Sequence, residues 1–173
     1  FVYCYVISNG SVTAGLASAT SPTSAGPPMP GGYTYAVYVG AMFCDASQNL
    51  LRTRQAGQQA QYKVTTATNT ATFPVIGYSS GTTLTTIALG TNIPTLVANE
   101  LAFYACSSAT GVNVAVSANN NTAAANNIVN PSPFNINAIT SQFGQLMGRI
   151  VLESTNIFGA ASSGSLAVFA VGW

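Results

Sequence analysis

From Phe1 to Ile7 aromatic and aliphatic residues alternate, and Ser8-Asn9-Gly10-Ser11 then separates this run from a second extended pattern over Val12 to Ala17. Period-two alternation puts successive side chains on opposite sides of a strand. An Asn-Gly pair suits the two positive φ angles of a type I′ turn. The pattern therefore predicts a hairpin. Ser18 to Gly32 follows as an exposed crossover loop, carrying Pro22, Pro27, Pro28 and Pro30 of the chain's 8 prolines.

Tyr33 to Cys44 is the longest apolar alternation. Tyr33, Tyr35, Val37, Val39, Ala41 and Phe43 are expected on one face, and Thr34, Ala36, Tyr38, Gly40, Met42 and Cys44 on the other. Both faces are largely apolar, which predicts a central strand. One face would meet a core, and the other would be covered by a second sheet, a loop or a neighbouring subunit. Asp45 to Asn49 has the composition of a turn. Leu50 to Gln55 and Gln58 to Thr66 read as the next strands, broken at Ala56-Gly57.

Further strands are expected at Thr70 to Pro74, Thr82 to Leu89, Leu101 to Ser107, Val112 to Ser117, Phe134 to Thr140, Gly148 to Ser154 and Gly164 to Val171. No segment sustains a 3.6-residue apolar period with caps, although Ile139 to Met147 has room for one helical turn. About ten short strands with little or no helix define an all-β fold: an antiparallel β-sandwich, jelly-roll-like. The polar stretch Ser117 to Asn127 is a second exposed loop, which interrupts the domain without dividing it. Residues 1–173 are read as one domain. The start at Phe1, already inside a strand pattern, leads us to expect the C-terminal part of a longer chain.

Charge changes the picture more than length does. Four basic and three acidic side chains make up 4% of the residues and leave a net charge of +1. Near-neutral surfaces associate readily, so a permanent homo-oligomer is expected. Nucleic acid is not expected as a partner, because four basic residues form no stripe along a phosphate backbone. A membrane span is not expected either, since no run reaches the ~18 to 20 uninterrupted apolar residues it needs.

Catalytic chemistry finds little material. Histidine is absent, which removes the commonest general base and metal ligand. A carboxylate pair would have to come from Asp45, Glu100 and Glu153, of which Asp45 opens a turn and the other two lie at strand ends. Cys4, Cys44 and Cys106 have no CxxC spacing and read as buried small hydrophobes. Lys63 reads as an exposed strand lysine; an isopeptide role would require its burial beside a Glu and an Asn. Arg52 and Arg54, two apart on one strand face, would pair with Glu100 or Glu153, or meet an acidic partner. The tyrosines are spaced as strand core more than as a sugar-stacking platform. No catalytic residue, cofactor or metal site is expected.

Between Ser11 and Tyr62 the chain carries, in order, Pro30-Gly31-Gly32-Tyr33-Thr34, Val39-Gly40-Ala41, Asp45-Ala46-Ser47-Gln48-Asn49 and Gln55-Ala56-Gly57, and it ends on the strand pattern Ser165 to Trp173. This order of elements resembles tail-fibre and related virion-surface domains of tailed bacteriophages, and Ser165 to Trp173 is similar to their closing strand. The resemblance implies a non-enzymatic structural protein at the virion surface, in a tail fibre or as a capsid decoration. Its implied partners are copies of itself, with a trimer favoured, other virion proteins, and a host-surface glycan or protein. Tyr38, Met42, Arg52 and Arg54 are the expected subunit-interface residues. A bacterial adhesin or pilus subunit is the alternative of similar composition; a polysaccharide depolymerase would need β-helix repeats that the chain does not show.

Overall fold

The computed structural model describes residues 1–22, 25–45, 47–63, 73–90, 92–107, 109–122, 129–139 and 145–173. Among them there is no helix. Eleven strands follow one another: β1 (Val2–Ser8), β2 (Thr13–Ser18), β3 (Tyr35–Met42), β4 (Thr53–Ala56), β5 (Gln59–Tyr62), β6 (Val75–Ala88), β7 (Glu100–Ser107), β8 (Val112–Ser117), β9 (Phe134–Ile139), β10 (Gln145–Val151) and β11 (Asn156–Gly172). They form two antiparallel sheets, so the fold is all-β as the alternation predicts. The contacts group the chain into two compact units, Phe1–Ala71 and Thr72–Trp173.

In the first unit the expected hairpin is present, with β1 paired to β2 from Tyr3↔Ser18 to Ser8↔Thr13. Its turn is not type I′. Asn9 to Val12 form a four-residue loop closed by Asn9 N–H donating to Val12 O, 3.2 Å, and only Gly10 of the Asn-Gly pair has positive φ. The Asn9 Oδ1 accepts from the amides of Ser11 and Val12 at 2.9 and 2.8 Å, so its side chain substitutes for the backbone of the tighter turn.

β3 departs from expectation in two ways. It is an edge strand of the order β2-β1-β3, not a central one. The alternation is also interrupted: Cys4 faces Gly40 while Tyr5 faces Tyr38, so Val39 is an extra residue in β3. A bulge of this kind shifts the facing of everything on one side of it. Tyr38 therefore joins Ala41 and Phe43 on the face of Tyr3, Tyr5 and Ile7, whereas Met42 falls on the opposite face with Val2. The predicted grouping of Tyr38 with Met42 is thus corrected.

The inward face of this sheet is an aromatic cluster. Tyr38 packs on Tyr5 and Tyr3 with ring centroids 5.9 and 6.4 Å away, and Phe43 meets Phe1 at 5.7 Å and Tyr62 of β5 at 6.0 Å. Tyr5 hydroxyl donates to Thr20 O at 2.7 Å, which holds the start of the proline loop to the hairpin. Burial, with neighbouring Tyr3, Tyr5 and Cys4 adding to it, pushes the Tyr38 phenol up to about 12. Burial raises Tyr62 as well.

The second unit is built on β11, which is 17 residues long although only its later half, Gly164 to Val171, reads as a strand in the sequence. β6 pairs along one edge of it, from Asn156↔Ala88 to Phe169↔Val75. On the other edge β8 takes Phe158 to Ala161, and β7 takes Leu166 to Gly172. The register breaks between Ala161 and Leu166. There Ser162 Oγ accepts from the Asn113 amide at 2.9 Å. β10 extends the sheet beyond β7, and β9 beyond β8. Gln145 to Met147 are in β10, and residues 140–144, where a helical turn was expected, lie outside the described residues; so does most of the expected Thr70 to Pro74 strand.

Leu89, Leu101, Phe103, Val112, Val114, Val116, Ile157, Leu166 and Val168 are fully buried in this unit. Its buried polar groups are mainly hydroxyls. Ser79 Oγ donates to Gly159 O at 2.7 Å, and Ser132 Oγ to Val116 O at 2.7 Å. Each satisfies a carbonyl without bringing a charge inside.

Two predictions follow from this packing. Gly148 faces Phe103 across β7 and β10, and a methyl group there would overlap the Phe134 ring, which stands edge-on to Phe103 at 5.1 Å. Gly148→Ala is expected to destabilise the protein by ~1–3 kcal/mol through overpacking, read from chemical denaturation. The second concerns alkaline pH. The Tyr38 phenol has a folded value above its ordinary 10.0, so the unfolded chain releases this proton first. The associated stability is complete below pH 10 and is lost as pH rises toward about 12. Denaturation midpoints should fall across that window, and Tyr38→Phe should flatten the fall.

Candidate functional site

The turn after β3 aims the next segment. Asp45 Oδ1 accepts from the amides of Ser47 and Asn49 at 2.9 and 2.8 Å, and Asn49 Nδ2 donates to Asp45 Oδ2 at 3.1 Å. Hydrogen bonds from Asn49 and Ser47 hold the Asp45 carboxyl below the usual carboxylate range. Gln48 takes positive φ within the turn, and Cys44 bridges to Leu50 beyond it. The chain thus returns alongside the end of β3, with Leu51 N–H donating to Phe43 O at 2.9 Å.

β4 and β5 then pair as a ribbon joined by the two-residue loop Gly57-Gln58. Thr53 and Tyr62 face each other in the register, as do Arg54 and Gln61. Lys63 lies opposite Arg52, its amide donating to Arg52 O at 2.7 Å. Alternation therefore places Arg52, Arg54, Gln61 and Lys63 on one face, all exposed, while Tyr62 on the other face is buried. Three of the four basic residues of the chain share this face.

Beside them runs an open groove of about 610 Å³, with Met42, Leu50 and Leu51 as its apolar lining and Thr53, Arg52, Arg54 and Lys63 as its polar one. Of the four interface residues predicted from the sequence, the groove brings together Met42, Arg52 and Arg54. Tyr38 is not among them, since it packs inward against Tyr3 and Tyr5. Lys63, Leu50 and Leu51 escaped the sequence reading as site residues. The signal for Lys63 was present: it lies eleven positions after Arg52, a spacing that a tight hairpin turning at Gly57-Gln58 brings face to face.

The other charged side chains are each engaged elsewhere. Arg149 Nη1 is 3.3 Å from Glu100 Oε2, so Glu100 is not the partner of Arg52 or Arg54 that the sequence suggested. Glu153 accepts from Asn119 Nδ2 at 2.9 and 3.0 Å. Asp45 is held in its own turn. Arg52, Arg54 and Lys63 form no ion pair among the described residues. Lys63 is exposed, the opposite of what an isopeptide role would require. The three cysteines are free and part-buried instead of fully buried, and burial raises the thiols of Cys4 and Cys106.

A second feature lies on the outer face of the β2-β1-β3 sheet. Tyr35, Val37 and Val39 of β3 are 65, 63 and 45% exposed, and Val6 of β1, opposite Val37, is 42% exposed. No charged residue belongs to these three strands. At the free edge of β3, Gln55 Nε2 donates to Val39 O at 2.9 Å, and a side chain at Gly40 would collide with the Gln55 carboxamide.

Comparison with protein-family models, with curated proteins and with solved structures finds no match. The functional reading therefore stands on these two surfaces and on the order of sequence elements.

The ribbon makes its own prediction. Like charges directly opposite on paired strands destabilise, and opposite charges stabilise. Arg52→Glu places an acid opposite Lys63 and should raise stability by ~0.2–1 kcal/mol, a typical exposed-pair value, seen as a higher melting temperature.

Proposed function

We propose that the chain is a non-enzymatic structural protein of a bacteriophage virion, in a tail fibre or on the capsid surface. Copies of the chain associate through the outer face of the first sheet. The observation that supports this best is the exposed set Val6, Tyr35, Val37 and Val39, contiguous across β1 and β3 and free of charge. Branched and aromatic side chains held flat on a sheet gain by leaving water, about 25 cal/mol per Å² of apolar area. With a net charge of +1, copies repel one another little. The virion setting is supported by the element order from Pro30 to Gly57. The non-enzymatic reading is supported by the absence of histidine and by the engagement of Asp45, Glu100 and Glu153 with structural partners.

The contact is a face and not an edge. Gln55 covers the Val39 carbonyl, which blunts β3 against simple strand addition. A closed homo-oligomer results, with a trimer the expected state. Other virion proteins and a host-surface glycan or protein are its further proposed partners.

Sedimentation of the purified chain tests this. The wild type should run as a stable closed oligomer, and Val37→Asp as a monomer with an unchanged far-ultraviolet circular dichroism spectrum, since Val37 is exposed in the single chain. A monomeric wild type overturns the proposed contact.

A further inference from the structure

The cations of the β4–β5 ribbon occupy an energetically odd position. Only 4% of residues are charged, yet three of the four basic ones share one face of a short ribbon. Arg52 and Lys63 stand directly opposite each other, where like charges destabilise a strand pair. No carboxylate offsets them among the described residues, although Glu100 serves Arg149 in this way. Nothing in the packing of the first unit requires the three side chains, because all are exposed. A surface that costs stability and contributes none to packing is explained by a ligand that supplies the missing negative charge.

We infer that this groove binds a linear anionic chain, gripping successive oxyanion groups with Arg52, Arg54 and Lys63. Residues two apart on a strand are separated by roughly 6.6 Å, and directly paired residues on neighbouring strands by roughly 5 Å. Three cations at such spacings match oxyanions repeated along a chain better than one isolated ion. The guanidinium forks of Arg52 and Arg54 suit the bidentate geometry of phosphate or carboxylate, and Lys63 adds a point charge. Met42, Leu50 and Leu51 give the apolar surface on which the ligand's backbone rests, while the Thr53 hydroxyl is already donated to Leu51 O at 3.1 Å. The volume, about 610 Å³, falls within the range of ordinary ligand clefts, ~300–1,000 Å³. Nucleic acid is the poorer fit. Among the described residues no aromatic side chain lines the groove to stack a base, and three cations are fewer than the ~6–10 phosphate contacts typical of a duplex-binding surface.

The oxyanions have two chemical sources, phosphoryl groups or carboxylates, and two probes separate them. Binding of the intact chain to inorganic polyphosphate and to polygalacturonate is measured by titration calorimetry, with neutral dextran as control. Polyphosphate is expected to bind more tightly because it carries more charge per unit length. Binding of polygalacturonate alone still supports the site and assigns it to carboxylates. In either case R52Q/R54Q should weaken binding at least tenfold, and R149Q, in the ion pair with Glu100, should leave it unchanged. The dependence of log K on log salt should become shallower with each cation removed, K63Q included. These side chains are exposed and their mutual repulsion is relieved, so the variants should melt no lower than the wild type. Failure of both polyanions to bind overturns the inference, as does binding that R52Q/R54Q and K63Q leave unaltered. The groove and the proposed contact between copies are separate: V37D should retain anion binding, and R52Q/R54Q should retain the oligomer.

Discussion

One extra residue in β3 decides what the first unit hides and what it shows. Because Val39 has no counterpart between Cys4 and Tyr5, the chain on either side of it is out of phase. Tyr38 turns inward to complete the cluster with Tyr3, Tyr5 and, through Phe43, Tyr62. Tyr35 and Val37 are left outside, and Met42 is carried away from Tyr38 toward the groove. Without the bulge Tyr38 and Ala41 would lie on opposite faces, and the inward cluster would lose either its central ring or its close neighbour. The Gln55 contact at Val39 O then covers the backbone where the strand bends, at a position that only the missing side chain of Gly40 leaves open.

The scarcity of charge gives the few charges their meaning. A protein with seven charged side chains solvates its surface largely with amides, hydroxyls and backbone, and the second unit also satisfies its interior in this way through Ser79 and Ser132. Four of the seven have a neutral or ionic partner that accounts for them: Asp45 in a turn, Glu100 with Arg149, and Glu153 with Asn119. The remaining three are collected on one ribbon face, opposed by each other and by no acid among the described residues. An exposed ion pair stabilises little in any case, so the contrast lies in placement more than in energy. It separates charges that serve the fold from charges available to a ligand.

The two surfaces of the first unit have complementary physical character. The outer sheet face is apolar, flat and uncharged, suited to a permanent contact whose strength comes from area. The groove is cationic and open, suited to a reversible contact whose strength varies with salt. A structural particle protein with both would hold its neighbours by one and meet an anionic partner by the other. The register break of β11 in the second unit supports neither directly. Its role is to let one strand serve β8 with its first half and β7 with its second, which ties the buried aliphatic core together.

Much of the fold was legible in the chain because strand patterning is a local property. β7 and β8 match their sequence patterns almost to the residue, and the Asp45 to Asn49 turn forms through the side-chain bonds its composition implies. The absence of histidine and the low charge were equally fixed by composition. Other features required the pairing of distant segments. The first half of β11 is rich in Gly, Ala and Ser, and becomes strand only because β6 and β8 flank it. The Asn9-Gly10 turn opened to four residues because the Asn9 side chain found amides two and three positions on. The bulge at Val39 is set by registration against β1, which no pattern within β3 records. The cation site belongs to the same class: Arg52 and Arg54 are visible as a pair, but Lys63 joins them only when the ribbon closes and the turn after β3 lays Leu50 and Leu51 beside Met42. Periodicity shows which residues can share a face. Register between strands, settled by burial of the Tyr3, Tyr5 and Tyr38 cluster, decides which of them do.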